Sequence, residues 1–324
     1  MVVGHPRISG QDGILGQPWG GGWDFRSGRD FRAKPLGRAL DVHHETLIRL
    51  GRDVGEGYAR LHDRLFKNLP TTRVELDEAW SFVHTKQGRL EDGDPKDWGD
   101  QYSFIALDAD RKAIVAYHVG KRTKANTIGF ALDLSTRIVT NPQITSDGFD
   151  SYIDAINIAF GEDVDYAMLI KQYVAECAIE ASERYQPAKA IVTEKRVISG
   201  EPDEELINTA YVERQNLTLR MLTRRFNRLT NAHSKTLRNH RAAMDLYVGY
   251  YNFCWEHGSL KKTPAMAAGV ADRVWTVEDL INECLYYSDP YMPPERPGNK
   301  QYAEYLRKRE LEMRDQRKML RRRK

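Results

Sequence analysis

The sequence has few cysteines and lacks any long apolar segment. Its 324 residues include only Cys177, Cys254 and Cys284, which are far apart and form no C-x-x-C pair. This excludes a disulfide scaffold and a zinc ribbon or finger. No apolar run approaches the roughly 18 residues of a membrane span, and no charged start followed by an apolar stretch indicates a signal peptide. We therefore expect a protein of the reducing cytoplasm with no membrane partner.

Charges of the two signs are separated along the chain. Residues 71–210 carry 15 Lys and Arg against 25 Asp and Glu. Residues 211–285 carry 11 basic residues against 7 acidic ones, and residues 286–324 carry 12 basic against 6 acidic. The basic final third predicts a polyanionic partner, and the acidic middle is a place where cations could be held.

The first 70 residues form two segments. Residues 1–36 hold 8 of the 24 glycines and show no periodicity, which predicts a disordered or irregular start. Residues 43–67 carry apolar residues at helical spacing and predict one long amphipathic helix. Together with a short turn at 39–42, this helix is compatible with the second half of a helix-turn-helix, so we assign 37–70 as a partial motif. A linker or a dimerisation helix explains the pattern equally well.

The segment 71–285 alternates strand-like and helical patterns. Strands are predicted at 73–83, 102–108, 113–119, 143–147 and 166–174, and helices at 124–139 and 150–160. This order indicates a mixed α/β fold in which a hairpin meander precedes a crossover. We also expect an insertion around 175–207, containing a hairpin at 188–200. Residues 286–324 are a Pro-rich and then basic tail.

Two helical segments follow Asn208. The first has an apolar stripe that we expect to be buried, made of Val212, Leu219, Leu222, Phe226 and Leu229. The second, residues 239–256, contains Tyr247, Tyr250, Tyr251, Phe253 and Trp255. These aromatic residues could stack on nucleic-acid bases, but we expect most of them in the core.

Three acidic residues stand out by their positions. Asp77 lies inside a predicted strand, Asp147 ends a later strand, and Glu213 borders the buried stripe of a helix. A carboxylate inside a strand is disfavoured unless it is satisfied. Carboxylates that converge on one end of a sheet repel one another and need a divalent cation, and oxygen-only ligation selects Mg²⁺ or Mn²⁺. Two such ions can activate a nucleophile and stabilise the leaving oxygen at a phosphodiester.

The sequence around each of these acids is similar to a known motif. The segment 76–83 (LDEAWSFV) resembles the first-aspartate motif of bacterial insertion-sequence DDE transposases, most of all the branch named for insertion sequence one. Residues 145–148 (TSDG) resemble the second-aspartate motif, and 211–220 (YVERQNLTLR) looks like the glutamate helix of that branch. Further similar blocks follow in family order, up to about residue 283.

The resemblance implies an RNase H-like mixed sheet flanked by helices. It implies that Asp77, Asp147 and Glu213 hold two Mg²⁺ ions, which Mn²⁺ could replace. Hydrolysis at the transposon ends would release 3′-hydroxyls, which then attack target DNA. The expected partners are double-stranded DNA and further copies of the chain, as a homodimer or higher synaptic complex in the bacterial cytoplasm. Residues near Glu213, and one position that matches the family, are predicted DNA contacts: Arg214, Asn216, Arg220, Arg224, Arg225, Arg228, Lys235 and His257.

Some features depart from the family pattern. Residues 1–36 contain no Cys and no first helix for a helix-turn-helix, so we expect either another mode of end recognition or an altered start. Trp255 followed by Glu256 stands where the family usually has Arg. Two other hypotheses stay open: a catalytically inactive relic that only binds DNA, and an RNase H-like nuclease acting on RNA–DNA hybrids or junctions.

Overall fold

A computed structural model describes residues 37–161, 164–173 and 190–287. The strands are β1 (Arg73–Val83), β2 (Gly99–Asp108), β3 (Ile114–Gly120), β4 (Gln143–Ser146), β5 (Tyr166–Tyr173) and β6 (Ala190–Ser199). The longer helices are α1 (His44–Leu65), α2 (Lys124–Arg137), α3 (Ser151–Phe160), α4 (Ala210–Leu222) and α5 (Leu237–Gly249). A π-helical turn (Tyr250–Cys254) and the short helices α6 (Pro264–Ala267) and α7 (Val277–Asn282) follow.

The six strands form one mixed sheet in the order β3-β2-β1-β4-β5-β6. The pairs β1–β2, β2–β3 and β5–β6 are antiparallel, whereas β1–β4 and β4–β5 are parallel. A meander of three strands therefore precedes two parallel crossovers through α2 and α3. This confirms the RNase H-like mixed sheet flanked by helices.

Alternate side chains of β1 contact different helices, because successive residues of a strand point to opposite faces. Glu75, Asp77 and Ser81 bond to groups of α4 and α5. Glu78 instead pairs with Arg122, just before α2. The strand that carries Asp77 therefore lies between two helical layers.

The C-terminal part of the fold is anchored by α1 and the π-helical turn. The buried side of α1, including Tyr58 and Leu61, belongs to the main core and packs against α5. Asn252 of the π-helical turn accepts from the Ile114 backbone N–H and donates to its carbonyl oxygen, at 3.0 Å each. The part of the 43–67 stripe from Val54 to Leu61 is thus buried within the chain, whereas Leu50 is 42% exposed. The assignment of this helix to a partial helix-turn-helix stays a prediction.

Several local predictions were wrong. Residues 190–199 are one strand, β6, paired with β5 at the edge of the main sheet, rather than part of a separate hairpin. Leu222 and Leu229 are exposed, since α4 ends at Leu222 and the chain then leaves the helical path on which the stripe was drawn. The expected helix 239–256 is regular only to Gly249.

Other predictions about these segments are confirmed or lie outside the described residues. Most aromatic residues of 239–256 are in the core, with Tyr247, Tyr251 and Phe253 buried and Tyr250 exposed. The irregular start at 1–36 and most of the C-terminal tail lie outside the described residues, as does part of the insertion around 175–207. Among the residues described, no helix combines the length and apolar character needed to cross a bilayer.

Candidate metal centre

Asp77 and Asp147 meet because their strands are parallel neighbours. Leu76 of β1 is in register with Ser146 of β4, so the next residues of both strands lie side by side. Asp77 Oδ1 accepts from the Glu78 backbone N–H at 2.8 Å, and its Oδ2 accepts from Asn216 Nδ2 at 2.8 Å. Asp147 Oδ1 accepts from the backbone N–H of Phe149 at 3.2 Å. Both carboxylates are thus oriented without using all of their lone pairs.

A third carboxylate, that of Glu78, completes this cluster. One oxygen each from Asp77, Glu78 and Asp147 lie within 4.8 Å of one another. Glu78 is not among the site residues predicted from the sequence. The available signal was the pair of adjacent acids in the middle of a strand, where carboxylates are disfavoured.

Glu213 faces the same cleft but is held apart from the three clustered oxygens. It lies in the first turn of α4, where Thr209 Oγ1 donates to its Oε1 at 2.6 Å and Lys171 Nζ forms a close ion pair with it. The group of carboxylate oxygens within 4.8 Å does not include Glu213. The structure therefore brings together two of the three predicted acids and sets the third across the cleft.

The position of α4 is fixed by a buried acid of β1. Glu75 is fully buried, and its Oε2 accepts from the backbone N–H groups of Tyr211 and Val212, at 2.8 and 3.0 Å. These N–H groups belong to the first turn of the helix and have no partner within it. A carboxylate is favoured there by the helix dipole as well. Glu75 therefore attaches the helix that carries Glu213 to the strand that carries Asp77.

Burial and mutual repulsion perturb the clustered acids. Burial, with a contribution from the charge of Asp147, raises the pKa of Asp77 to about 6. Burial and the same neighbour raise the pKa of Glu78 to about 7, against the opposing effect of Arg122. The pKa of Asp147 is also raised by burial, whereas Arg122 and Lys171 act in the other direction. The nearby positive charges and hydrogen bonds do not fully offset the loss of water around these three carboxylates, so their charged forms are disfavoured.

The donors at this site fit a hard divalent cation. Glu78 Oε1 and Asn216 Oδ1 are buried and have no hydrogen-bond partner among the described residues. A buried polar atom without a partner is unfavourable by about 1–3 kcal/mol, which a bound cation would relieve. The surrounding ligand atoms are all oxygens, the donor class of Mg²⁺ and Mn²⁺.

Four cationic side chains border the acids. The cleft has a volume of about 540 Å³, and its lining includes Arg122, Lys171, Arg220 and Arg228. The Arg122 guanidinium lies 3.1 Å from Glu78 Oε2 and 3.7 Å from Asp147 Oδ2, and it stacks 3.9 Å from the ring centre of Phe149. The cleft thus combines acids that attract a metal with cations suited to phosphate groups.

The predicted DNA contacts are divided between the lining of the cleft and positions outside that lining. Asn216, Arg220 and Arg228 line the cleft. The other five lie outside its lining: Arg214, Arg224, Arg225, Lys235 and His257. Of these, Arg214 and Arg224 are exposed, Arg225 donates to the Asn239 carbonyl oxygen at 3.4 Å, Lys235 lies 3.1 Å from His233, and His257 lies 3.0 Å from Ser259.

Comparison with known proteins gives a distant likeness to a solved structure. No protein-family model matches the chain, and no curated protein matches it. Among solved structures, the chain is similar to the piggyBac transposase in a synaptic complex with hairpin DNA, determined by cryo-EM. The identity is 13% and the TM-score 0.31, over 73% of this chain and 57% of that chain. This chain thus spans little more than half of the piggyBac chain, and so distant a likeness assigns no function.

Proposed function

We propose that the chain is a DDE-type DNA transposase that hydrolyses phosphodiester bonds at transposon ends and transfers the 3′-hydroxyl into target DNA. The observation that carries the proposal is the juxtaposition of Asp77 and Asp147 at adjacent parallel strands, with Glu213 on the helix across the same cleft. The assignment to the branch named for insertion sequence one is supported by the sequence blocks alone.

The acids of the cleft have distinct tasks in this proposal. Asp77, Asp147 and Glu213 would hold two Mg²⁺ or Mn²⁺ ions. When bound, these ions activate the attacking oxygen and stabilise the leaving oxygen. Asn216 fixes the rotamer of Asp77 through its 2.8 Å hydrogen bond. Thr209 and Lys171 both bond to Oε1 of Glu213, so Oε2 is the oxygen that could serve as a metal ligand.

The cationic lining supplies the DNA-binding part of the proposal. Arg220 and Arg228 lie in the same cleft as the acids. Contacts from such side chains to phosphates position a duplex without reading its sequence. The proposed partners are therefore double-stranded DNA, both at the element's ends and at the target, and a second copy of the chain. The proposed site of action is the bacterial cytoplasm.

The decisive experiment measures Mg²⁺-dependent cleavage and strand transfer on duplex DNA that carries the inverted repeats flanking the gene. Asp77→Asn, Asp147→Asn and Glu213→Gln should each lose roughly three orders of magnitude or more in rate, because residues that act as one unit fail together. DNA retardation should persist in all three. The matched controls are Asp92→Asn and Glu205→Gln, which change exposed acids outside the cleft lining. Cleavage at the wild-type rate by any of the three cleft variants contradicts the assignment of that residue.

A specific observation favours a second candidate, a chain that binds DNA without cutting it. Glu213 is bonded to Thr209 and Lys171 and lies outside the three-oxygen cluster. An inactive relic would retard DNA but show no metal-dependent cleavage by the wild type. An RNA–DNA hybrid run beside the duplex tests the nuclease hypothesis, which requires the hybrid to be the better substrate.

A further inference from the structure

Glu78 is a buried acid that the proposed transposase mechanism does not use. It follows Asp77 directly in β1, and its side chain is only 3% exposed. It nevertheless lines the same cleft as Asp77 and Asp147, and its carboxylate belongs to the cluster within 4.8 Å. A glutamate with no task would be a costly residue at such a position.

The two carboxylate oxygens of Glu78 have different neighbours. Glu78 Oε2 is paired with Arg122 at 3.1 Å, whereas Oε1 is buried and makes no hydrogen bond of ordinary geometry among the described residues. The buried Tyr152 hydroxyl lies beside this carboxyl and acts to lower its pKa. A neutral hydroxyl does not offset the repulsion between Glu78 and its two carboxylate neighbours, whereas a cation would.

Arg122 shows where positive charge is needed in this cluster. Its Nη2 atom approaches Glu78 Oε2 and Asp147 Oδ2 at 3.1 and 3.7 Å. Its side chain is 36% exposed and stacks on Phe149, so it can move outward without leaving a cavity in the core. One guanidinium therefore partly compensates two acids that would otherwise repel each other.

We propose that Glu78 is a fourth carboxylate ligand of the metal centre, and that Arg122 is the cation which the metal displaces from Glu78 and Asp147. This inference rests on the proposed function, since it concerns the same metal centre. It adds a ligand from the second face of β1, beside the three acids that the family motif supplies. Glu78 then attracts the metal ion, whereas Arg122 repels the ion and competes with it for Glu78 and Asp147.

The opposing interpretation is a purely structural ion pair. If Glu78 served only to hold Arg122, Glu78→Gln and Arg122→Gln would break the same contact. Both variants would then lower the melting temperature of the metal-free protein, and both would change metal affinity in the same direction. A ligand role instead predicts that Glu78→Gln loses metal affinity by about tenfold or more without losing metal-free stability, whereas Arg122→Gln gains affinity.

The test is a titration of the full chain with Mn²⁺ alone, followed by electron paramagnetic resonance of the free ion, together with thermal melts with and without Mn²⁺. We expect Glu78→Gln to weaken binding by about tenfold or more, with a metal-free melting temperature equal to or above that of the wild type. We expect Arg122→Gln to strengthen binding. Tyr152→Phe, which keeps both charges, should leave the affinity within about twofold, well below the change expected for a ligand.

The outcomes separate this inference from the proposed function. The role of Glu78 is overturned if Glu78→Gln binds Mn²⁺ as tightly as the wild type while Asp77→Asn loses binding. That result leaves the proposed function intact. A matched loss of affinity in Glu78→Gln and Arg122→Gln also overturns it, because that result is the signature of an ion pair. Absence of Mn²⁺ binding by the wild type removes both.

Discussion

The side-chain amide of Asn216 donates a 2.8 Å hydrogen bond to Oδ2 of Asp77, and this bond joins α4 to β1 inside the cleft. Asn216 is predicted from the sequence as a DNA contact. The residue is only 4% exposed, so orienting Asp77 is the role for which the structure gives a contact. Its contact with DNA stays a prediction.

We expect Asn216→Ala to lower cleavage by about 10- to 100-fold, the range seen when a partner of a metal ligand is lost. Asn216→Asp should be worse, because it places a second carboxylate against Asp77. Steady-state cleavage and Mn²⁺ titration measure both effects. Leu217→Ala, one residue along the same helix and exposed, is the control. Full activity of Asn216→Ala would show that Asp77 needs no such support.

A second attachment of α4 depends on Glu75. Glu75→Ala removes the acceptor of two backbone N–H groups in a buried place, so we expect a loss of roughly 2–3 kcal/mol in the free energy of unfolding. Glu75→Gln keeps an acceptor oxygen and removes a charge that is favoured by the helix start but disfavoured by burial, which raises the pKa of Glu75. We therefore expect a change in the free energy of unfolding below about 1 kcal/mol. Urea unfolding monitored by circular dichroism gives both values, with Glu205→Gln as the control. Equal losses in the two Glu75 variants would assign the whole effect to charge.

The elements that carry Asp77 and Asp147 could be predicted because both segments have a clear strand pattern. Asp77 lies inside the first and Asp147 comes at the end of the other, and the structure pairs these two strands in parallel. The RNase H-like sheet follows from the same pattern. The role of Glu75 could not be predicted, since it depends on where the start of α4 meets β1, 136 residues later in the chain.

Helical periodicity failed where the backbone stops being regular. Leu229 was placed on a buried stripe by counting 100° per residue from Val212, but α4 ends at Leu222, and Leu229 is 83% exposed. Glu78 was missed for a related reason. Strand alternation assigns it to the other face from Asp77, whereas a long glutamate side chain can reach the edge at which both faces meet.

A buried acid away from the cleft makes stability depend on pH. Asp245 of α5 is 8% exposed, and burial raises its pKa to about 7. Between the ordinary pKa of an aspartate, about 4, and 7, the folded chain keeps this proton while the unfolded chain releases it. Raising the pH through this window therefore favours unfolding, and the effect is constant above it.

Asp245→Asn replaces the titrating carboxyl group with a neutral amide and should abolish this contribution to the pH dependence of the free energy of unfolding. We expect the stability of the variant relative to wild type to rise from pH 4 to 7 and then to level off, by an amount on the order of a few kcal/mol. Chemical denaturation at several pH values measures this, with Asp92→Asn as an exposed control. A difference that is flat across pH 4–7 would mean that Asp245 is ionised in the fold.

DNA binding through the cleft should have a defined salt signature. Arg228 is exposed and lines the cleft, whereas Arg273, equally cationic, is paired with Asp279 and lies outside the lining. If Arg228 contacts a phosphate, Arg228→Ala weakens binding to any duplex and reduces the slope of log K against log salt concentration by about one. Arg273→Ala should leave the slope unchanged. Fluorescence anisotropy between low and moderate salt, on two unrelated duplexes, provides the measurement. Equal slopes for both variants would contradict a phosphate contact by Arg228.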